Sequence, residues 1–289
     1  MWYQLKIEHC QSDEVEPISE ELEEIGALSI MYTDKYDNPV LEPLPGTTPM
    51  WPEVIIQALF AQAAVAQQAR DFLAHTKPAL ECSLEILPDK DWERSWMDDF
   101  KPQRFGKRLW ICPTWLTPPE PQGINLMLDP GLAFGTGTHP TTSLCLTWLD
   151  HQDVTDKYVI DYGCGSGILS LAALKLGAAH VDAVDIDDQA LQATKNNSLT
   201  NGISEEQLSI SHPESLQVPV DLLIANILLD PLISLKYRFQ QLLREDGQLV
   251  VSGILTEQAP LLIEAYESAF SHLAQEDHDG WALLVFKRK

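Results

Sequence analysis

Val159-Ile-Asp-Tyr-Gly-Cys-Gly-Ser-Gly-Ile168, followed by Asp185, sets the architecture of the larger part of this 289-residue chain. A strand-like apolar run over 158–162 leads through three alternate glycines into an apolar helical run over 168–176. Residues 180–186 then read as a second strand that ends on Asp185. Strand, tight glycine turn and helix in that order form the first unit of a parallel sheet covered on both faces. The alternation continues with helix over 188–196, a short strand over 207–211, strand over 221–228, helix over 232–243, strand over 247–254 and helix over 257–270. The tail, 271–289, has Asp279-Gly280 as a turn and a strand over 281–286, which predicts a terminal hairpin. The fold class is α/β, a Rossmann-like and mostly parallel sheet closed by an antiparallel hairpin.

Working outward, residues 1–88 have another rhythm. Tyr3, Leu5 and Ile7 alternate with Gln4, Lys6 and Glu8, and Ile18, Leu22 and Ile25 then share one helical face. Apolar runs over 27–31 and 54–60, a helix-rich run over 61–74 and a closing run over 82–87 predict a small α+β domain of the ferredoxin-like kind. Residues 89–121 read as a linker, which leaves 122–289 for the larger domain. In the linker, Trp92, Trp96 and Phe100 recur at four-residue spacing before Pro102. They are either an amphipathic helix packed on one domain or an aromatic wall over a site. Lys101, Arg104, Lys107 and Arg108 beyond them read as a solvated face.

The formal charge of -24 and a pI near 4.5 give a field that repels phosphate backbones and attracts basic partners, so no nucleic-acid partner is expected. Residues 1–88 share in it, with four Lys and Arg against fifteen Asp and Glu, a net of -11. Cys10, Cys82, Cys112, Cys145 and Cys164 form no C-x-x-C pair and are odd in number, which points to a reducing cytoplasm. No basic-then-apolar leader and no apolar run of about 18 residues is present, so neither a signal peptide nor a membrane span is expected. A monomer is expected.

Ligands of an open parallel sheet bind beyond the carboxyl ends of its strands. Gly163, Gly165 and Gly167 permit close backbone approach there, and the helix that follows offers free N–H donors. A carboxylate at Asp185 can accept both hydroxyl hydrogens of a ribose. So far a dinucleotide dehydrogenase fits equally well. Two residues separate the alternatives: the sixth fingerprint position is Ile168 rather than Gly, and Asp161 adds negative charge before the turn. That charge is unfavourable beside a pyrophosphate and favourable beside an ammonium and a sulfonium, by roughly 1 kcal/mol when partly exposed. S-adenosyl-L-methionine suits such a site. Cys164 reads as a small filler, since no basic neighbour lowers its pKa.

Asn226, near the end of a later strand, can accept a hydrogen bond from an amine and aim the nitrogen lone pair at a methyl carbon. It can equally cap the helix beginning near Asp230-Pro231. Leu128-Asp-Pro-Gly-Leu-Ala-Phe-Gly-Thr-Gly-Thr-His-Pro-Thr-Thr142 lacks the ending of a phosphate loop and reads either as a lid or as a plain loop before a helix over 142–149. His139 has no partner at metal-ligand spacing, and no metal is expected.

Three segments, 128–143, 159–169 and 225–228 (Ala-Asn-Ile-Leu), closely resemble the PrmA family, whose members methylate the eleventh protein of the large ribosomal subunit. Asp91-Trp-Glu-Arg-Ser-Trp-Met-Asp-Asp-Phe-Lys-Pro102 and Arg104-Phe-Gly-Lys-Arg-Leu-Trp-Ile111 are also similar, so the resemblance runs from about residue 89 to the end. It implies a class I methyltransferase domain with a separate N-terminal substrate-recognition domain. It also implies methylation of lysine ε-amino and N-terminal α-amino groups on that basic ribosomal protein. By motif, Thr142, Gly163, Asp185 and Asn226 would contact the cofactor, with Gly165, Gly167 and Asp161 in the same turn. Phe134, Gly135 and Thr136 belong to the loop, 134–138, that would close over it, and Asn226 would be catalytic. Many amino methyltransferases have Asn-Pro-Pro-Tyr where this chain has Asn-Ile-Leu-Leu, which leaves the source of any aromatic wall open.

Overall fold

The structure, a computed structural model, describes residues 1–36, 50–87, 100–129 and 139–289. Trp92, Trp96, Phe134, Gly135 and Thr136 lie outside the described residues. The chain divides into two compact units, Met1–Met97 and Asp98–Lys289.

The first unit runs β1 (Trp2–Gln11), α1 (Val15–Ile25), β2 (Ser29–Asp34), β3 (Glu53–Phe60), α2 (Ala63–Thr76) and β4 (Glu81–Leu87). Its sheet order is β2-β3-β1-β4 and every neighbouring pair is antiparallel. Each helix connection therefore spans an intervening strand, the split β-α-β arrangement of ferredoxin-like folds. The period-two pattern of β3 puts Val54, Ile56, Ala58 and Phe60 on the covered face, against Ile18 and Leu22 of α1 and Ala66, Ala69 and Leu73 of α2.

The second unit is built on a seven-stranded sheet. Its strands are β8 (Tyr158–Tyr162), β9 (His180–Val184), β10 (Leu208–Ser211), β11 (Val220–Asn226), β12 (Leu243–Leu255), β13 (Phe270–His278) and β14 (Trp281–Arg288), in the order β10-β9-β8-β11-β12-β14-β13. The first five are parallel, and β14 runs antiparallel between β12 and β13. Its helices are α3 (Pro140–His151), α4 (Ile168–Lys175), α5 (Asp188–Thr200), α6 (Leu229–Leu242) and α7 (Ala259–Tyr266). Alternate strand residues feed two cores. Val159, Leu222 and Val250 pack with Leu149 of α3 and Leu171 of α4, while Ile160, Leu223 and Val251 pack with Phe239 of α6 and Leu262 of α7. Two buried faces explain why these strands read as continuous apolar runs.

The linker expected over 89–121 is corrected for its second part. β5 (Gln103–Phe105), β6 (Leu109–Cys112) and β7 (Ile124–Met127) form a three-stranded sheet, and Phe105, Leu109 and Ile111 join the first core of the larger unit. Basic residues interleaved with these apolar ones disguised a half-buried hairpin as a connector. The basic quartet is exposed, as a solvated face requires, and the main chain that carries part of it is anchored. The carboxylate of Asp150, a residue only 3% exposed on α3, accepts the N–H groups of Lys107 at 2.6 Å and Arg108 at 3.1 Å and lies 3.4 Å from the Arg108 guanidinium. Arg104 stacks on Trp110, 5.8 Å from the ring centroid.

Asp150→Ala leaves two main-chain donors and one arginine without their acceptor, so it should destabilise the fold by about 2–3 kcal/mol. Chemical denaturation of the variant against the parent measures this, and Asp150→Asn should lose less.

Candidate active site

The direction of strand order reverses between β8 and β11, which pair through Val159–Leu222, Ile160–Leu223 and Asp161–Ile224. The connections leaving these two strands run to opposite faces of the sheet, so a crevice opens beyond their carboxyl ends. A cavity of about 720 Å³ lies there, lined by Thr142, Gly163, Gly165, Asp185 and Asn226 among others. That is the size of a small-molecule site.

The glycine turn is pinned from beneath. Gly163 and Cys164 donate their N–H groups to the Val184 carbonyl at 2.8 and 3.0 Å. Thr194 and Asn197 on α5 donate side-chain hydrogens to the carbonyls of Gly165 and Ser166, at 3.0 and 2.8 Å. Sequence reasoning missed both; their only signal is a polar face on α5 at three-residue spacing. Asp185 accepts the Gly165 N–H at 2.9 Å on one carboxylate oxygen and the Asp187 N–H at 3.1 Å on the other. Each oxygen has a further lone pair, and the side chain lines the cavity, as a ribose diol requires.

Asp161 has a different place from the one its motif suggests. It is 1% exposed and does not line the cavity. One carboxylate oxygen accepts the backbone N–H and the hydroxyl of Ser170, at 2.9 and 2.6 Å, fastening the first turns of α4 to β8. The other oxygen is buried without a hydrogen-bond partner among the described residues. Burial pushes the carboxyl up to about 6, against the pull of Ser170. Gly167 likewise starts α4 and does not line the cavity.

Asn226 does not cap α6, whose N-cap is Leu228. Its Nδ2 donates to the Thr142 hydroxyl at 3.4 Å, which leaves Oδ1 as the acceptor of the pair. Thr142 sits in the first turn of α3, where the preceding His139 accepts the Thr141 N–H at 3.3 Å and packs edge-on against Trp281 at 4.8 Å. Tyr162 brings an aromatic ring to the cavity from β8 and rests edge-on against Phe239 at 5.0 Å. Burial raises the Cys164 thiol well above its usual range, so it is no nucleophile at neutral pH.

The family model described as ribosomal protein L11 methyltransferase (PrmA) matches residues 1–289. The chain belongs to this family. A ribosomal protein L11 methyltransferase of Legionella pneumophila (strain Lens) is 71% identical over all of both chains. One of Pasteurella multocida (strain Pm70) is 46% identical over 99% of each. Among solved structures, a ribosomal protein L11 methylase from Lactobacillus delbrueckii subsp. bulgaricus is 36% identical with a TM-score of 0.60, covering 66% of this chain and all of that one. This member of the PrmA family is accordingly an S-adenosylmethionine-dependent methyltransferase.

The residues present fit that donor. The cavity holds a carboxylate at the diol position, glycine backbone on one wall and, beneath the turn, the uncompensated oxygen of Asp161, which favours a cationic ligand nearby.

The raised Asp161 pKa makes a linkage prediction. Its unfolded carboxyl titrates near 3.8 and its folded one near 6, so between these values the folded state binds more protons and stability falls as pH rises. Unfolding free energies of the donor-free protein should decline across pH 4–6 by on the order of 2 kcal/mol relative to Asp161→Asn and run parallel above pH 6. Parallel curves throughout would remove the assignment.

Proposed function

We propose that this PrmA-family enzyme methylates ribosomal protein L11, on lysine ε-amino groups and on the N-terminal α-amino group, acting as a monomer in a reducing cytoplasm. Whole-chain relationship to L11 methyltransferases supports the substrate. The observation that carries the choice of an amine is Asn226: it lines the cavity beside the glycine turn, and its Nδ2 is engaged by Thr142, which leaves its carbonyl oxygen as the acceptor. Among the described residues no helix is long and apolar enough to cross a membrane. All five cysteines are free.

S-adenosylmethionine, when bound, supplies an electrophilic methyl group on a sulfonium. The chain's own part is to hold and aim. Asp185, Gly163 and Gly165 line the cavity; the carboxylate would take the ribose hydroxyls, and the two glycines would allow close approach of the amino acid portion. Asn226 accepts one N–H of a neutral amine, which directs the nitrogen lone pair along the line of displacement. The donor would give up its methyl group to that nitrogen with the S–C electron pair passing to sulfur, and the surplus proton of the amine would leave to water. Asp230, exposed in the first turn of α6, brings a second carboxylate to the cavity, which favours entry of a cationic acceptor.

The Met1–Met97 unit is proposed to recognise the protein substrate. Alternation along β4 places Glu81 and Glu85 on the face of the sheet away from α1 and α2, where they suit a lysine-bearing partner.

Incubation with labelled S-adenosylmethionine and a ribosomal-protein extract, followed by mass analysis, should put label on L11 lysines and its N-terminus. Label in RNA or in another protein would overturn the substrate. Asn226→Ala should lower kcat by about 10²- to 10³-fold, and unchanged turnover would remove its catalytic role.

A further inference from the structure

Ile227 is the first residue after β11 and lines the cavity beside Asn226. It is gripped by two glycines from different parts of the sheet. Gly163, at the start of the donor turn, has φ +82°, and a Cβ there would overlap Cγ2 of Ile227. Gly253, on β12, has φ +86°, and a Cβ there would lie 2.5 Å from the Ile227 carbonyl oxygen, 2.8 Å from its carbon and 2.9 Å from its nitrogen. The side chain of Ile227 thus rests on the donor turn and its main chain on β12.

β12 is shaped to receive it. Asn226 pairs with Ser252 as the last step of the β11–β12 ladder, and the β12–β14 register shifts between Val251 and Ile254. Ser252 donates its hydroxyl to the Ala282 carbonyl at 2.9 Å, anchoring that irregular stretch to β14. Bulges of this kind beside active sites re-aim neighbouring residues. Here the irregularity clears space for the main chain of Ile227, whose nitrogen closes the peptide after Asn226 and whose carbonyl opens the next one.

We propose that Ile227, wedged between Gly163 and Gly253, is a positioning residue that fixes the separation between the donor turn and the Asn226 carbonyl. Gly163 is then small for the sake of Ile227 as well as of the ligand, and Gly253, which does not line the cavity, is a working part of the site. The proposal rests on the assignment of Asn226 to the acceptor amine. It adds that the spacing is set by packing against two bare α-carbons rather than by hydrogen bonds.

Kinetics of Gly253→Ala and Ile227→Ala with L11, S-adenosylhomocysteine titration and thermal melting test it together. A methyl at Gly253 meets the nitrogen, carbon and oxygen of Ile227, which give way only by moving the main chain of that residue and with it the adjoining Asn226. Gly253→Ala should lower kcat about 100-fold while S-adenosylhomocysteine affinity stays within about threefold, since a displacement of about 1 Å costs that much in rate. Ile227→Ala introduces no overlap, so it folds even if Gly253→Ala does not. It should lower kcat about tenfold with the same retention of affinity. Loss of affinity in step with kcat, or turnover within threefold of the parent in Ile227→Ala, overturns the proposal. The side-chain amide resonance of Asn226 gives a readout independent of turnover and should shift in both variants. If the parent protein leaves L11 unlabelled, the substrate assignment fails, while an unshifted amide resonance fails the wedge itself.

Discussion

The structure depends on one topological constraint, the parallel pairing of β8 with β11 while their following helices leave to opposite faces. Leu222, Leu223 and Ile224 register against Val159, Ile160 and Asp161, and each alternate side chain enters a different core. Strands so buried cannot slip by one residue without exchanging the two cores. The positions of Gly163, just after β8, and Asn226, the last residue of β11, are therefore fixed by hydrophobic registry, before any contact with a ligand. Everything chemical in the cavity inherits that precision.

Polar groups then refine what packing has placed. Asp161 ties α4 to β8 through Ser170 and keeps an uncompensated oxygen under the turn, an arrangement that costs folding stability above its pKa and favours a cationic ligand nearby. Asp185 does two things at once, bracing Gly165 and Asp187 while facing the cavity. The turn is thus preorganised by groups that are already bonded in the donor-free protein, so little ordering remains for binding to accomplish. Thr142 plays the matching part for Asn226, by orienting its amide.

Several features were legible along the chain because they are local. The period-two and helical patterns gave both fold classes, and the 158–168 run with Asp185 gave the glycine turn and the carboxylate that braces it. The terminal hairpin was legible too, although β14 enters between β12 and β13 rather than following in order. The misreadings have a common cause. Residues 100–121 read as a linker because Arg104, Lys107 and Arg108 interrupt the apolar pattern, and Asp150, which accepts the main-chain N–H groups of Lys107 and Arg108 and pairs with the Arg108 guanidinium, lies more than forty positions away. Asp161 read as a cavity residue because its neighbours in the motif are, yet alternation along β8 buries it under α4.

The sequence by itself determined the two domains, the parallel sheet, the glycine turn and its acidic partner, because strand, turn and helix signals act over ten residues or fewer. Only the tertiary structure decided which side chains meet across the strand ends: Asn226 with Thr142, Thr194 with Gly165, Ile227 with both Gly163 and Gly253. Such contacts follow from the order of strands in the sheet and from side-chain volume. Neither is written in the spacing of any one segment.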